Sequence, residues 1–272
     1  MMRILPVELI KPQMILGQNI FRHDGLLSLP KGARVGKAEI ELLKDQQLDY
    51  ILMLEPTMVL FKEQDIHLTL SIIEAAFTTN TLWESKYGDA LYDYLERRIA
   101  KNKKIQLYLS QLRELDSYSF VHCINISILV TDLLKNTDMP FQEVANIAFL
   151  VLLHDVGRIK LGEIFNKKDT LTKSEFDKLK THPIISYKML KKAGIAEKEL
   201  HFILEHHEKY DGSGYPYRLK GEEISDLAQL VLIADYYNAL LSYRPHRNAF
   251  SPFEVIEMMN EEKNKAFGEH YI

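Results

Sequence analysis

At 272 residues, with 46% apolar and 26% charged side chains, the chain has the composition of a soluble globular protein, long enough for one large or two ordinary domains. Lys and Arg number 34 against 38 Asp and Glu, so the net charge of -4 excludes a general attraction to polymeric nucleic acid or anionic membrane. A lone Cys123 excludes an internal disulfide, the start through Pro6, Glu8 and Pro12 carries no signal-peptide pattern, and no apolar run reaches the roughly 20 residues that span a bilayer; the expectation is a cytoplasmic protein.

In chain order, Met14–Ile20 reads as a short strand, His23-Asp24-Gly25 as a turn, and Leu26–Leu29 as a second strand. Lys37–Asp45 has helical spacing of Ile40, Leu42 and Leu43, and Tyr50–Leu54 closes a small α+β module over residues 1–56. Beyond it the pattern becomes helical. Glu63–Ala76 and Tyr87–Lys101 are amphipathic within a helical connecting region, 57–104, and a helical domain follows over 105–272. There Ile105–Leu115 is amphipathic, while Phe120–Leu134 is apolar nearly all round and should be central, with His122 at its start.

Pro140 opens a helix expected to run straight into His154-Asp155. Thr172 and Glu175 form a capping box, and Pro183 begins a helix over Ile184–Ala193 that Gly194 ends. An apolar segment around Leu200–Leu204 delivers His206-His207 into a Gly-rich turn closed by Pro216, and Asp226–Ser242 is a helix with Asp235 on an apolar face. The fold class expected is mainly α, a helical bundle preceded by a small α+β domain.

Each of these polar residues alone is an ordinary core histidine or surface carboxylate. Together His122, His154, Asp155, His182, His206, His207 and Asp235 form a set whose burial without partners would cost several kcal/mol each, and which a metal site satisfies jointly. Imidazole and carboxylate without thiolate suit a catalytic Fe, Mn or Zn centre better than a structural zinc. Consecutive helical positions point about 100° apart, so His206 and His207 are expected to serve two adjacent ions rather than one. Asp155 can bridge such a pair, and a hydroxide between the ions would attack a phosphate ester.

His154-Asp155-Val156-Gly157 resembles the HD signature of metal-dependent phosphohydrolases, and His206–Pro216, reading His-His-Glu-Lys-Tyr-Asp-Gly-Ser-Gly-Tyr-Pro, resembles the defining segment of its HD-GYP subgroup. Asp116–His122, Thr181-His182-Pro183, Ile233-Ala234-Asp235 and Arg244-Pro245 support the match over about residues 105–250. The resemblance implies a phosphodiesterase that hydrolyses cyclic di-GMP to the linear dinucleotide pGpG, with GMP as a further product left open. The implied cofactors are two divalent metal ions, iron or manganese in first place and zinc, nickel or magnesium as alternatives, held by the seven residues above. A third ion would need a Glu where this chain has Tyr118. By position, Arg158, Arg244, Arg247, Tyr215 and Asn238 are implied in substrate binding, and Asp155 and Arg158 in catalysis.

Three departures from the family pattern concern phosphate and proton rather than metal: Arg158 stands for the usual Lys, Asn238 for a second Asp, and Tyr243 and His246 flank the Arg-Pro pair. An arginine neutralises phosphate but does not donate its proton. They motivate an alternative, a weakened module that binds cyclic di-GMP or docks a protein through the Gly212–Pro216 loop as a sensor. The partner expectations are therefore cyclic di-GMP, a protein at that loop and a second copy of the chain, with neither polymeric nucleic acid nor membrane. Phe267–Ile272 falls where related domains enter a further helix, which suggests a shortened C-terminus.

Overall fold

A computed structural model describes residues 2–22, 24–46, 48, 50–54, 66–78, 85–165, 171–241 and 250–271. The N-terminal module contains strands β1 (Met2–Pro6), β2 (Ile15–Leu16), β3 (Ile20–Phe21), β4 (Leu27–Leu29) and β5 (Tyr50–Leu54), with helix α1 (Lys37–Asp45) before the last. The order β1-β5-β2 makes one antiparallel sheet, Ile4 opposite Leu52 and Ile15 opposite Leu54, and β3 pairs with β4 in a second. The single strand expected over Met14–Ile20 is thus two. A bend at Gly17-Gln18 separates them, and Asn19 Oδ1 accepts from Lys31 N at 2.7 Å, so the chain leaves the first sheet for the β3–β4 hairpin. Leu16, Val35, Leu43 and Ile51 bury this module's own core.

The remaining described elements are helical: α2 (Ile66–Thr78), α3 (Ser85–Ala100), α4 (Lys103–Leu115), α5 (Ser117–Leu134), α6 (Phe141–Val151), α7 (Gly162–Phe165), α8 (Lys173–Leu179), α9 (His182–Lys192), α10 (His201–Glu205), α11 (Asp226–Leu241) and α12 (Pro252–Glu261). Caps set several of their starts. Asn102 Oδ1 accepts from the amides of Lys104 and Ile105 to begin α4, and Asp116 Oδ1 accepts from Ser119 N at 2.9 Å to begin α5. The Thr172–Glu175 capping box begins α8 as expected, and a Ser251–Glu254 box begins α12.

Helix α5 is central, as its all-round apolar sequence requires. The helices over 66–78 and 85–100 pack into the same core as α4, α5 and α6, through Ile72, Phe77, Leu91, Leu95, Leu109 and Phe149. Leu26 and Leu27, from the N-terminal module's hairpin, lie in that core too. No single described helix is long and apolar enough to cross a membrane.

Among the helix boundaries that fall elsewhere than the sequence pattern places them, two position the site. Because α5 begins at Ser117, His122 lies in its second turn rather than at its start. And α6 ends at Val151, with a turn and a 3-10 helix over Val156–Leu161 in place of the continuous run into His154-Asp155.

Candidate metal centre

The break after α6 points His154 and Asp155 inward. Gly157 then lets the 3-10 segment lie against the start of α9: its amide donates to Ser186 Oγ at 2.8 Å, and a Cβ there would come within 2.4 Å of the His182 carbonyl oxygen. This close approach brings Asp155 Oδ1 to 3.0 Å from His182 Nε2 and 3.7 Å from His206 Nε2. On its other side, Asp155 Oδ2 lies 3.6 Å from His154 Nε2 and 3.9 Å from His122 Nε2.

The ligand atoms therefore fall into two groups that share Asp155. One contains Asp155, His182, His206 and His207; the other contains His122, His154 and Asp155; within each, the ligand atoms lie within 4.8 Å of one another. Asp235 touches both, with Oδ1 3.5 Å from His122 Nε2 and Oδ2 3.8 Å from His207 Nδ1. The expectation that His206 and His207 serve different ions is corrected: both belong to one group, their ring centroids 4.2 Å apart. They follow Glu205, the last residue of α10, in a turn where helical spacing no longer sets side-chain directions.

Hydrogen bonds at the back of three rings fix what faces the centre. Nδ1 of His154, His182 and His206 lies 2.7, 2.8 and 2.8 Å from the carbonyl oxygens of Val151, Leu179 and Ile203, each three residues earlier. A carbonyl only accepts, so Nδ1 carries the proton and Nε2 presents a lone pair inward. Asp155 Oδ1 and His206 Nε2 are fully buried and make no hydrogen bond. Lone pairs converging on a buried carboxylate in this way fit a divalent cation.

The electrostatics agree. Burial, the largest influence, holds His122 and His207 well below the ordinary imidazole range, lowers His154 to about 4, and lowers His182 as well. Burial alone would raise Asp155, but the Arg158 guanidinium foremost, with the neighbouring His154 and His182, outweighs it and holds the carboxyl well below the usual range. Neutral imidazoles around an ionised carboxylate are the protonation states that metal binding requires. His182 and His206 are wholly buried, whereas the side chains of His207 and Asp235 keep 18% and 22% exposure, so the centre opens to solvent on their side.

At that opening the chain after His207 folds back on itself. Tyr215 N donates to His207 O at 3.2 Å, and a Cβ at Gly214 would meet Lys209 N at 2.4 Å, so only glycine permits the return. The Tyr215 ring lies 4.8 Å from that of His207, and burial raises its phenol. Glu208, which the sequence did not single out, anchors the loop. Its buried carboxylate accepts from the backbone amides of Tyr217, Arg218 and Leu219 at 2.5, 3.0 and 3.1 Å. A carboxylate directly after two ligands and ahead of a Gly-Ser-Gly turn was the available signal.

Arg158 Nη1 lies 2.9 Å from Asp155 Oδ2 and donates to Ser119 Oγ at 2.9 Å, while Ser119 Oγ bonds Asp116. Asn238 is buried behind His122, its Nδ2 3.2 Å from His122 Nδ1. Arg244 and Arg247, with Tyr243 and His246, lie outside the described residues. Sequence reasoning also passed over Arg22 of the N-terminal module, which donates to Asn238 Oδ1 at 3.2 Å from 216 positions away; no local pattern signals such a contact.

The sequence model of a family described as HD domain matches residues 89–270. A cyclic di-GMP phosphodiesterase of Pseudomonas aeruginosa is 29% identical over 180 residues, which are 65% of this chain and 44% of that protein. A cyclic di-GMP phosphodiesterase of Thermotoga maritima is 32% identical over 167 residues, 60% of this chain and 43% of that one. The chain thus spans less than half the length of these two relatives. A solved structure described as an HDG"Y"P protein from Bdellovibrio bacteriovorus aligns over 97% of this chain and 95% of its own, with a TM-score of 0.45 and 15% identity. The family match spans every residue of the two metal-ligand groups and the Gly-Tyr-Pro turn beside them, and the chain accordingly belongs to the HD domain family.

Proposed function

We propose that this chain is a metal-dependent phosphodiesterase that hydrolyses cyclic di-GMP to its linear dinucleotide. The observation that carries the reading is the Asp155 carboxylate shared between two imidazole groups, with the half-open His207–Asp235 side as the route for a phosphate. Two relatives whose names state this activity support it. Two divalent ions, iron or manganese first, would supply Lewis acidity and an activated water when bound.

The chain's own residues do the rest. Asp155, common to both ligand groups, would hold a cation in each, and the backbone carbonyls behind His154, His182 and His206 keep Nε2 turned inward. The new P–O bond forms from water as the bond to the ribose 3′ oxygen breaks, and that oxygen takes up a proton. Arg158 neutralises the charge that develops on the phosphate, and because a guanidinium does not give up its proton, that proton comes from solvent. Arg244 and Arg247 add positive charge for the second phosphate, and Tyr215, beside His207, offers a face for a guanine.

A second reading, a cyclic di-GMP sensor with little turnover, is favoured by the Arg158 contact to Asp155, which holds a non-donating group where a proton donor would serve. One experiment separates them. Metal-loaded chain is titrated with cyclic di-GMP in a calorimeter and the same sample is analysed for linear product, for wild type and Arg158→Lys. The enzyme reading expects product from wild type and at least about tenfold faster turnover from the Lys variant. Tight binding with no product from either protein, under both ferrous iron and manganese, would establish the sensor instead.

A further inference from the structure

Three imidazoles of the centre, His154, His182 and His206, are backed at Nδ1 by a carbonyl, whereas His122 is backed by the side-chain amide of Asn238. Which end of that amide faces His122 is decided by its other neighbours. Arg22 Nη1 lies 3.2 Å from Asn238 Oδ1, and a guanidinium has only donors to offer. Asn125 Nδ2 lies 3.5 Å from the same oxygen. The orientation of Asn125 is itself fixed, because its Oδ1 accepts from Leu27 N at 3.1 Å and its Nδ2 donates to Leu27 O at 2.8 Å. Arg22 is held in turn by Asp24, which accepts from Nε at 3.0 Å and from Nη2. The Asn238 oxygen is thus turned to two donors, and its NH2 is turned to His122 Nδ1.

A nitrogen that faces a donor must accept, so the single proton of a neutral His122 ring resides on Nε2. That proton points toward Asp235 Oδ1 at 3.5 Å and Asp155 Oδ2 at 3.9 Å, into the space a cation would occupy. For His122 to offer its Nε2 lone pair, the proton must move to Nδ1 against the Asn238 NH2, or the amide must turn over and set its NH2 against Arg22 and Asn125. Both routes cost affinity, and neither applies at His154, His182 or His206.

We propose that Asn238, oriented by Arg22 and Asn125, locks His122 in the Nε2-protonated form and makes the His122–His154–Asp155 group the weaker of two unequal divalent-cation positions. Asn238 is then a positioning residue that acts through His122, and the N-terminal module, which supplies both Arg22 and Leu27, sets the occupancy of one metal position. The inference rests on reading the two groups as cation sites. Partners behind metal-binding imidazoles typically change affinity by about tenfold to a hundredfold, so a difference of that size is expected between the two positions. In Asn238→Asp, a carboxylate of the same shape accepts from Arg22 and from His122 Nδ1–H together, which removes the conflict.

The test has two arms on the full chain, neither of which reads activity. In the metal-free protein, ¹⁵N chemical shifts of the histidine rings should report Nε2–H for His122 and Nδ1–H for His154, His182 and His206. In a manganese titration, wild type should fill one position tightly and a second at least about tenfold more weakly. Asn238→Asp should bring the two within a few-fold of each other. A wild-type His122 that reports Nδ1–H, or an Asn238→Asp titration that superimposes on wild type, would overturn the proposal. Failure of both proteins to take up manganese, with the ring tautomers as stated, would overturn the cation reading and the ranking of positions with it, while the hydrogen-bond lock would stand on the shifts alone.

Discussion

The chemistry of this site is set one imidazole at a time. Which residues gather was legible in the sequence, because five histidines and two aspartates set in apolar helices have no inexpensive way to be buried apart from one another. Their hydrogen-bond states were not, since the carbonyls at Val151, Leu179 and Ile203 become acceptors only once the chain turns at those points, and Asn238 is oriented by residues distant in sequence. The buried rings carry a pH signature. His154 titrates at about 4 when folded, against about 6.5 in an unfolded chain, so between these values the unfolded state binds more protons and stability falls as pH falls. For metal-free protein, moving from pH 7.5 to 5 should cost about 2 kcal/mol through His154 alone. His122, His182 and His207, also lowered, act in the same direction. Urea midpoints at the two pH values check this: His154→Gln should lose less stability than wild type on acidification, and an equal loss in both would contradict the assignment.

At the level of elements, the helices could be read from periodicity and caps. The Thr172 box, both limits of α1, the ends of α4 and α5 and the start of α11 fall where the sequence places them, and several other helix ends move by a few residues because terminal turns exchange hydrogen bonds cheaply. The misreadings share a cause. The strand over Met14–Ile20 and the helix through His154 both continue an apolar pattern past a point where backbone pairing changes partner, and apolar periodicity does not register such a change. The second case builds the site, because the 3-10 turn after α6 can approach α9 only where Gly157 leaves room. Gly157→Ala should therefore force these segments apart. The expected cost is about 1–3 kcal/mol in an unfolding measurement, the usual range for overpacking, together with weaker manganese binding as Asp155 and His182 separate. Full stability with unchanged metal affinity would show that the contact is not limiting.

On the scale of the whole molecule, the N-terminal module could be recognised as a small α+β unit, but nothing in its composition pointed to the metal centre. Its β3–β4 hairpin sets Leu26 and Leu27 into the helical core, pairs Leu27 with Asn125 through two hydrogen bonds, and brings Arg22 to Asn238 behind His122. The module is therefore part of the wall of the site. Both ligand groups share Asp155, so in the proposed function metal binding and hydrolysis both depend on that carboxylate. Product analysis tests this most directly: cyclic di-GMP is incubated with anaerobically prepared, iron- or manganese-loaded wild type and Asp155→Asn, with metal content measured on the same samples. Wild type should yield linear dinucleotide, and the variant should show both a loss of bound metal and a fall in turnover of at least about a hundredfold, since binding and activation of water are lost together. Turnover that survives in Asp155→Asn, or two retained ions in the variant, would contradict a shared carboxylate at the centre of the chemistry.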